Sequence, residues 1–276
     1  MEKRFIRLLV ICCVLCLSAA PCFGDALDAF AGQKGTIKIA GGTAHIPVMK
    51  AAAKRIMSRH KNIVITVAGG GSGVGIKQVG EGLVDIGNSG RKPKPEEITR
   101  YGLKLHKWAV DGVGVVVNPA NRCQSLTTQQ LKGIFSGQIG NWSALGGVDH
   151  AITVYTRDEA SGTRAVFWKK ALAKGPISDK ALFVPSNGAM KTAVANDPYA
   201  IGYVSVGHID ATVAPVALDG VAPSLEAVKG GAYKIARGLY SNTKGDPSGL
   251  VRLFIDYLFS PEGQQLAASK GFIPVK

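Results

Sequence analysis

The sequence predicts an α/β protein with a mainly parallel sheet. Three short apolar or alternating runs, at residues 36–40, 62–68 and 83–87, each end in a turn rich in glycine, serine or threonine. Helical patterns follow the first two runs, and this alternation of strand and helix is typical of βαβ units. Ligands of such sheets bind at the carboxyl ends of the strands, which is where these turns lie.

The remaining elements follow from hydrophobic periodicity and from turn residues. The predicted helices cover residues 49–60, 126–134, 165–173, 247–259 and 261–270, and another begins at Ile76. The later predicted strands cover residues 108–118, 151–155, 200–206 and 214–218, and a turn-rich loop covers 136–147. Two long apolar stretches would serve as crossovers if a second lobe were inserted between about residues 112 and 210.

The N-terminus has the pattern of an export signal. Three basic residues stand among the first seven, and a run of 13 residues, 8–20, is apolar except for one serine. That run is short for a membrane span, and small residues then precede a cleavage point after Gly24. We therefore predict that residues 1–24 form a signal peptide. Lipid attachment at Cys22 is the alternative, which Pro21 disfavours.

Composition limits the class of partner. The chain is 46% hydrophobic and 19% charged, which indicates a globular protein. Its formal net charge of +14 suits nucleic acid, an anionic membrane or a small anion. Aromatic residues are few and are not interleaved with basic blocks, so we predict no nucleic-acid partner. Four of the five cysteines precede Gly24, and the mature chain keeps Cys123 alone, which excludes an intramolecular disulfide.

A strand-to-helix turn with the sequence TRDEASGTRAV stands near the middle of the chain. Ser161 is a preferred N-cap residue, Gly162 permits close approach of the backbone, and Thr163 adds a hydroxyl. Arg157 can bind an oxyanion through its planar guanidinium, and Glu159 can orient that arginine or accept a proton from the ligand. Because free N–H groups at a helix start bind anions, the turn indicates an anion site. The alternative is an ordinary capped helix beside a surface ion pair.

The sequence lacks the motifs of nucleotide-binding, metal-binding and hydrolase sites. The glycine-rich turn at residues 69–75 matches neither G-x-x-x-x-G-K-[ST] nor G-x-G-x-x-G, so it is either a nest of N–H groups or a flexible turn. The five histidines are scattered without metal-ligand spacing, and no G-x-S-x-G elbow occurs. We therefore predict no metal, no cofactor and no catalytic residue. Hydroxyls, glycine amides and an arginine favour a solute receptor.

Five stretches in order give a specific resemblance. They are IAGGTAHIP at residues 39–47, GGGSGVGIK at 69–77, VDIGNSGR at 84–91, RDEASGTR at 157–164 and AIGYVS at 200–205. Over nearly the whole mature chain the sequence resembles the periplasmic phosphate-binding proteins of ABC transporters. The resemblance implies a two-lobed type II periplasmic binding-protein fold, with lobe 1 at residues 25–111 and 211–276 and lobe 2 at 112–210.

The resemblance also implies a function. The chain would be a periplasmic, monomeric and non-enzymatic receptor that buries inorganic phosphate between its lobes and delivers it to an ABC permease. A receptor for sulfate, molybdate or tungstate is the nearest alternative. An exported phosphoester hydrolase would need a metal cluster or an activated nucleophile. A phosphate-sensing or adhesion protein on the same fold is a further alternative.

The implied phosphate contacts come from four turns. They are a hydroxyl and an amide from Thr43 and Ala44, hydroxyls from Ser72 and Ser89, the cationic anchor Arg157, and the cradle of Ser161, Gly162 and Thr163. One position departs from the family pattern. Some members carry an aspartate, which accepts the phosphate proton, where this chain has Gly90. We expect Glu159 to take over that role or to hold Arg157 in place.

Overall fold

A computed structural model describes residues 25–275 of the chain, so the predicted signal peptide lies outside the described residues. The α-helices are α1 (Ile46–Arg59), α2 (Ser72–Gly80), α3 (Pro95–Tyr101), α4 (Thr128–Ser136), α5 (Gly162–Lys170), α6 (Asn187–Asn196), α7 (Leu225–Lys229), α8 (Gly249–Phe259) and α9 (Pro261–Ser269). The strands are β1 (Gly35–Gly41), β2 (Ile63–Gly70), β3 (Ile86–Ser89), β4 (Leu103–Val117), β5 (Ser125–Leu126), β6 (Thr153–Thr156), β7 (Leu182–Phe183), β8 (Ala200–Ser205), β9 (Ala214–Leu218), β10 (Ala236–Lys244) and β11 (Ile273–Pro274). In this part of the chain no helix is long and apolar enough to cross a membrane.

The fold is a two-lobed α/β fold, as predicted, and its strands lie in the order β2-β1-β3-β10-β4-β8-β6-β7. The outer strands pair in parallel, β1 with β2 and β3, and β6 with β7 and β8. The central strands β4 and β10 pair antiparallel to each other, and β10 is also antiparallel to β3. The prediction of a mainly parallel sheet is therefore wrong for the centre, because the chain passes between the lobes there in opposite directions.

Strand β4 connects the two lobes. Its first part pairs with β10, and its last part, from Val113, pairs with β8 and β9. Gly112 lies opposite Ala236, and the N–H of Val113 donates to the carbonyl of Ile235 at 2.8 Å. At this point β4 and the chain leading into β10 therefore run side by side in opposite directions.

Each lobe has its own apolar core. In the first core Trp108 is fully buried, with its ring centroid 5.7 Å from that of His45 and 6.1 Å from that of Phe272. In the second core Phe167 stacks on Tyr203 with a centroid separation of 4.0 Å. Burying an apolar side chain contributes roughly 1.5–3 kcal/mol. Each lobe therefore holds its own strand ends, and the site between them, in fixed positions.

Several helices begin earlier than predicted. Helix α2 begins at Ser72 and not at Ile76, so the glycine-rich stretch is a helix start and not a flexible turn. Close packing explains the glycines, since a Cβ on Gly75 would lie 2.6 Å from the carbonyl oxygen of Asn88 on β3. Helix α5 likewise begins at Gly162, three residues before the predicted start.

Candidate anion-binding site

A narrow cavity lies between the lobes, where several strands reach their carboxyl ends. It is lined by Gly42, Thr43, Ala44, Gly71, Ser72, Gly90, Arg157, Ser161, Gly162, Thr163 and Arg237. The turns after β1, β2, β3 and β6 therefore meet at one place, as the sequence predicted. No carboxylate side chain is among these lining residues. Within residues 25–275 no group of three or more histidine, cysteine, aspartate or glutamate side chains could hold a metal ion.

Arg157 is a buried cation with unused donors. Arg157 directly follows the end of β6 and is only 1% exposed. Nη2 donates to the carbonyl of Pro185 at 2.9 Å, and the backbone N–H donates to the hydroxyl of Tyr203 at 3.1 Å. Nε and Nη1 have no hydrogen-bond partner in the part of the chain that the structure describes, and burial lowers the pKa of the guanidinium. A buried and incompletely paired cation is costly, so the cavity is built for an anion.

Two serine hydroxyls in the cavity have their oxygen atoms engaged by backbone donors. Ser72 Oγ accepts from the N–H of Gly90 at 2.9 Å, and Ser161 Oγ caps α5 by accepting from the N–H of Arg164 at 3.1 Å. A hydroxyl that accepts from the protein keeps its own proton available for donation. Both serines are thus arranged to donate to a ligand oxygen.

Asn187 connects the two threonines of the cavity and was not predicted. It is fully buried at the start of α6. Its backbone N–H and Nδ2 donate to Thr43 Oγ1 at 3.2 and 3.0 Å, and Nδ2 lies 3.4 Å from Thr163 Oγ1. Its Oδ1 accepts from the N–H of Ser205 at 3.0 Å. This side chain therefore orients both threonine hydroxyls as donors and links lobe 1 to lobe 2.

Arg237, on β10, is a second cation in the cavity and was also not predicted. Its Nε donates to Asp111 Oδ2 at 2.8 Å, and its Nη1 donates to Thr163 Oγ1 at 2.9 Å. Asp111 is fully buried on β4 and accepts at Oδ1 from Ser205 Oγ at 2.9 Å. Burial raises the pKa of Asp111, and the neighbouring guanidinium opposes that rise. A single arginine in an alternating strand gives no sequence signal that separates it from a solvent-facing residue.

Helix starts supply the remaining donors. The 3-10 helix Thr43–His45, which leads into α1, begins at the cavity, and so do α2 and α5. The first N–H groups of a helix lack partners within it and carry partial positive charge. The cavity therefore combines guanidinium, hydroxyl and amide donors, which is the chemistry that binds an oxyanion.

Seven of the nine predicted site residues line the cavity, and two do not. Ser89 is buried, and its hydroxyl donates to the carbonyl of Arg91. Glu159 is exposed to solvent. The turn that carries it places Ala160 against lobe 1 instead, where the Ala160 carbonyl accepts from the N–H of Gly73 at 2.9 Å. The predicted roles of Glu159, proton acceptor or partner of Arg157, have no support in this placement.

We therefore expect Glu159→Gln to leave phosphate affinity within about twofold of the parent value, because an exposed charge contributes little to a screened interaction. Calorimetric titration of the variant with phosphate measures this. The equivalent change at exposed Glu226, on α7, is a matched control. A tenfold loss confined to Glu159→Gln would return this residue to the ligand set.

Comparison with known proteins identifies the family of the chain. A family model described as a PBP superfamily domain matches residues 28–262. The chain is 36% identical to the phosphate-binding protein PstS of Bacillus subtilis, over 100% of this chain and 95% of that protein. A phosphate ABC transporter substrate-binding protein from Clostridium perfringens, solved with bound phosphate, is similar with a TM-score of 0.82 and 33% identity, over 88% of this chain and 100% of that one.

A second solved structure is an ABC-type phosphate transport receptor from Vibrio cholerae, with a TM-score of 0.69 and 31% identity, over 86% of this chain and 99% of that one. The family match covers most of the described residues, and the Bacillus relative spans the whole chain. The resemblance predicted from five short motifs is thereby confirmed. The chain belongs to the PBP superfamily and, within it, to the family of the PstS phosphate-binding proteins.

Proposed function

We propose that this chain is an exported receptor that binds inorganic phosphate between its lobes and delivers it to a membrane ABC permease. The observation that carries the proposal is Arg157, which is buried in the cavity with two donor groups unpaired. The hydroxyls of Thr43, Ser72, Ser161 and Thr163 surround the same cavity. Relatives named or described as phosphate-binding and phosphate-transport proteins support phosphate as the ligand.

Binding would proceed by closure of the lobes. The N–H of Gly73 in lobe 1 donates to the carbonyl of Ala160 in lobe 2, and Asn187 bonds Thr43 across the cleft. Phosphate adds contacts to both lobes that exist only when they are closed, so it shifts the population toward the closed form. The permease would then recognise the closed form.

We propose that the chain enters lobe 2 after Gly112 and returns to lobe 1 after Ile235. Val228, Tyr233 and Ile235 pack in the second core, which supports a later return than the predicted boundary after residue 210. The hinge would then be the paired passages of β4 and β10 at Gly112 and Ala236.

The proposed role involves no catalysis. The serine hydroxyls of the cavity accept from backbone N–H groups, and no general base contacts them in the described chain. His45, in the first turn, is fully buried against Trp108, and burial lowers its pKa to about 3. We further propose that residues 1–24 are removed on export and that the mature protein acts in the periplasm as a monomer.

A thermal-unfolding panel tests the ligand. Phosphate, sulfate and molybdate are added in turn to the mature protein. A ligand at about 1,000 times its Kd stabilises the folded state by roughly 4 kcal/mol, so phosphate is expected to raise the Tm by several degrees. A generic phosphoester incubated with the same sample is expected to show no turnover. No stabilisation by phosphate would reject the proposal, and measurable turnover would favour the hydrolase.

A further inference from the structure

The cavity offers many donors and few acceptors. Arg157, Arg237, four hydroxyls and the starts of three helices supply donors. Asp111, the carboxylate that pairs with Arg237, does not line the cavity, and both its oxygens already accept, from Ser205 and from Arg237. An oxyanion with unprotonated oxygens satisfies such a site, whereas a protonated oxygen also needs an acceptor.

The close approach of Gly90 and Arg237 explains why no carboxylate acceptor lies at residue 90. A Cβ on Gly90 would lie 2.8 Å from Nη1 and 3.2 Å from Cζ of Arg237. Asp111 and Thr163 hold the guanidinium in that place, at 2.8 and 2.9 Å. A carboxylate at residue 90 and this arginine position therefore exclude each other. The position from which an aspartate could accept a ligand proton is taken by a cation.

The net charge of the cavity depends on how Arg237 pairs with Asp111. Arg237 is 7% exposed, and its Nη2 has no hydrogen bond of acceptable geometry, although it lies 2.7 Å from Asp111 Oδ2. Asp111 offsets one of the two guanidinium charges, so the cavity keeps a positive charge before a ligand enters. Added positive charge favours the more highly charged form of an anion.

We propose that Arg237 is a second ligand-binding cation that stands in for a proton acceptor at residue 90, so that the site selects oxyanions by charge and shape and not by their proton. This inference rests on the proposed function. It follows that the site prefers dianionic to monoanionic phosphate. It also follows that sulfate, a dianion of the same shape without a proton, competes with phosphate.

Competition calorimetry with the wild-type mature protein tests the proposal. A site that hydrogen-bonds a ligand proton rejects the analogue lacking it by about 10⁴–10⁵-fold. We expect sulfate to bind within about 100-fold of phosphate, and phosphate affinity to rise between pH 6 and pH 8 while sulfate affinity stays constant. Rejection of sulfate by about 10⁴-fold, or phosphate affinity that is equal at both pH values, would overturn the proposal.

Variants separate direct contact from long-range charge. Arg237→Gln combined with Asp111→Asn removes both charges of the pair without leaving a buried charge unpaired, and is expected to weaken both anions at least about tenfold. Arg164→Gln removes a positive charge from α5 at a residue that does not line the cavity, and is the matched control. The double variant keeps the net charge of the protein, so its loss of affinity reports the contact and not the overall field, which Arg164→Gln measures. Unchanged affinity for both anions in the double variant would reject the contact.

The anion titrations distinguish failure of the proposed function from failure of this inference. If the wild-type protein binds none of the anions, the proposed function is rejected together with this inference. If it binds phosphate tightly and excludes sulfate, only the inference is rejected. Should the double variant fail to fold, the wild-type competition and pH series still decide the question.

Discussion

Arg157→Ala is expected to weaken phosphate binding at least about tenfold while the free protein still folds. Two of its donor groups have no partner among residues 25–275, so an anion in the cavity is their natural acceptor. Truncating one member of a buried, charge-assisted contact costs about 2–5 kcal/mol, and each 1.4 kcal/mol is tenfold in Kd. Titration calorimetry with phosphate measures the loss.

The stability of the variant gives a second readout. Removing a buried and incompletely paired cation relieves a desolvation cost, which offsets the lost bond to the carbonyl of Pro185. We therefore expect the phosphate-free Tm to change little, and the stabilisation by phosphate to shrink. Arg164→Ala is the control, since Arg164 belongs to the same motif and lies outside the cavity. Unchanged affinity would place the anchor elsewhere, and unfolding of Arg157→Ala would indicate a structural role.

The burial of Arg157 also affects the opening and closing of the lobes. In the closed arrangement water cannot solvate Nε and Nη1 of Arg157, and no protein acceptor replaces it. An empty, closed cavity is therefore unfavourable, and the lobes are expected to open until the guanidinium is hydrated. We expect phosphate to remove that penalty by supplying acceptors for both atoms. The same two atoms thus account for affinity and for closure.

Local patterns indicated the turn that carries Arg157, Ser161, Gly162 and Thr163, and the family resemblance added Thr43, Ala44, Ser72 and Ser89. Seven of the predicted residues line the cavity, in turns that follow strands and in which glycine and hydroxyl residues cluster within a few positions. Periodicity gave six of the nine α-helices within residues 25–275 to within a few residues and missed α3, α6 and α7. It also could not show that glycines 73 and 75 belong to α2. Gly75 is required by tertiary packing, because α2 packs closely on β3 there, and Gly73 faces Ala160 across the cleft.

The residues that were missed act through contacts distant in sequence. Arg237 meets Asp111 and Thr163 only because β10 returns beside β4, and nothing near it in the sequence marks that return. Asn187 is one polar residue at the start of an otherwise ordinary helix. Glu159 was assigned from its place within the motif, but the turn directs its neighbour Ala160 to the interface and leaves the carboxylate in solvent.

Gly162→Ala should weaken phosphate binding by about 10- to 100-fold by preventing closure. Gly162 begins α5 in lobe 2 and faces lobe 1 across the cavity. A Cβ there would overlap Ser72 Oγ, and would lie 3.0 Å from Ser72 Cβ and 3.1 Å from the carbonyl carbon of Gly90. Overpacking costs about 1–3 kcal/mol, and a smaller closed fraction raises the apparent Kd in proportion.

The fold of each lobe should survive this change, because Gly162 has an ordinary helical conformation and the overlap arises only between lobes. Gly73→Ala is the matched control, since it adds the same methyl group at the same interface where the closest atom, Ala160 Cα, is 3.4 Å away. Calorimetry gives the affinities, and small-angle scattering with and without phosphate gives the degree of closure. We expect Gly73→Ala to contract on adding phosphate and Gly162→Ala to stay extended. Parental affinity and contraction in Gly162→Ala would show that the lobes need not approach this closely to hold the anion.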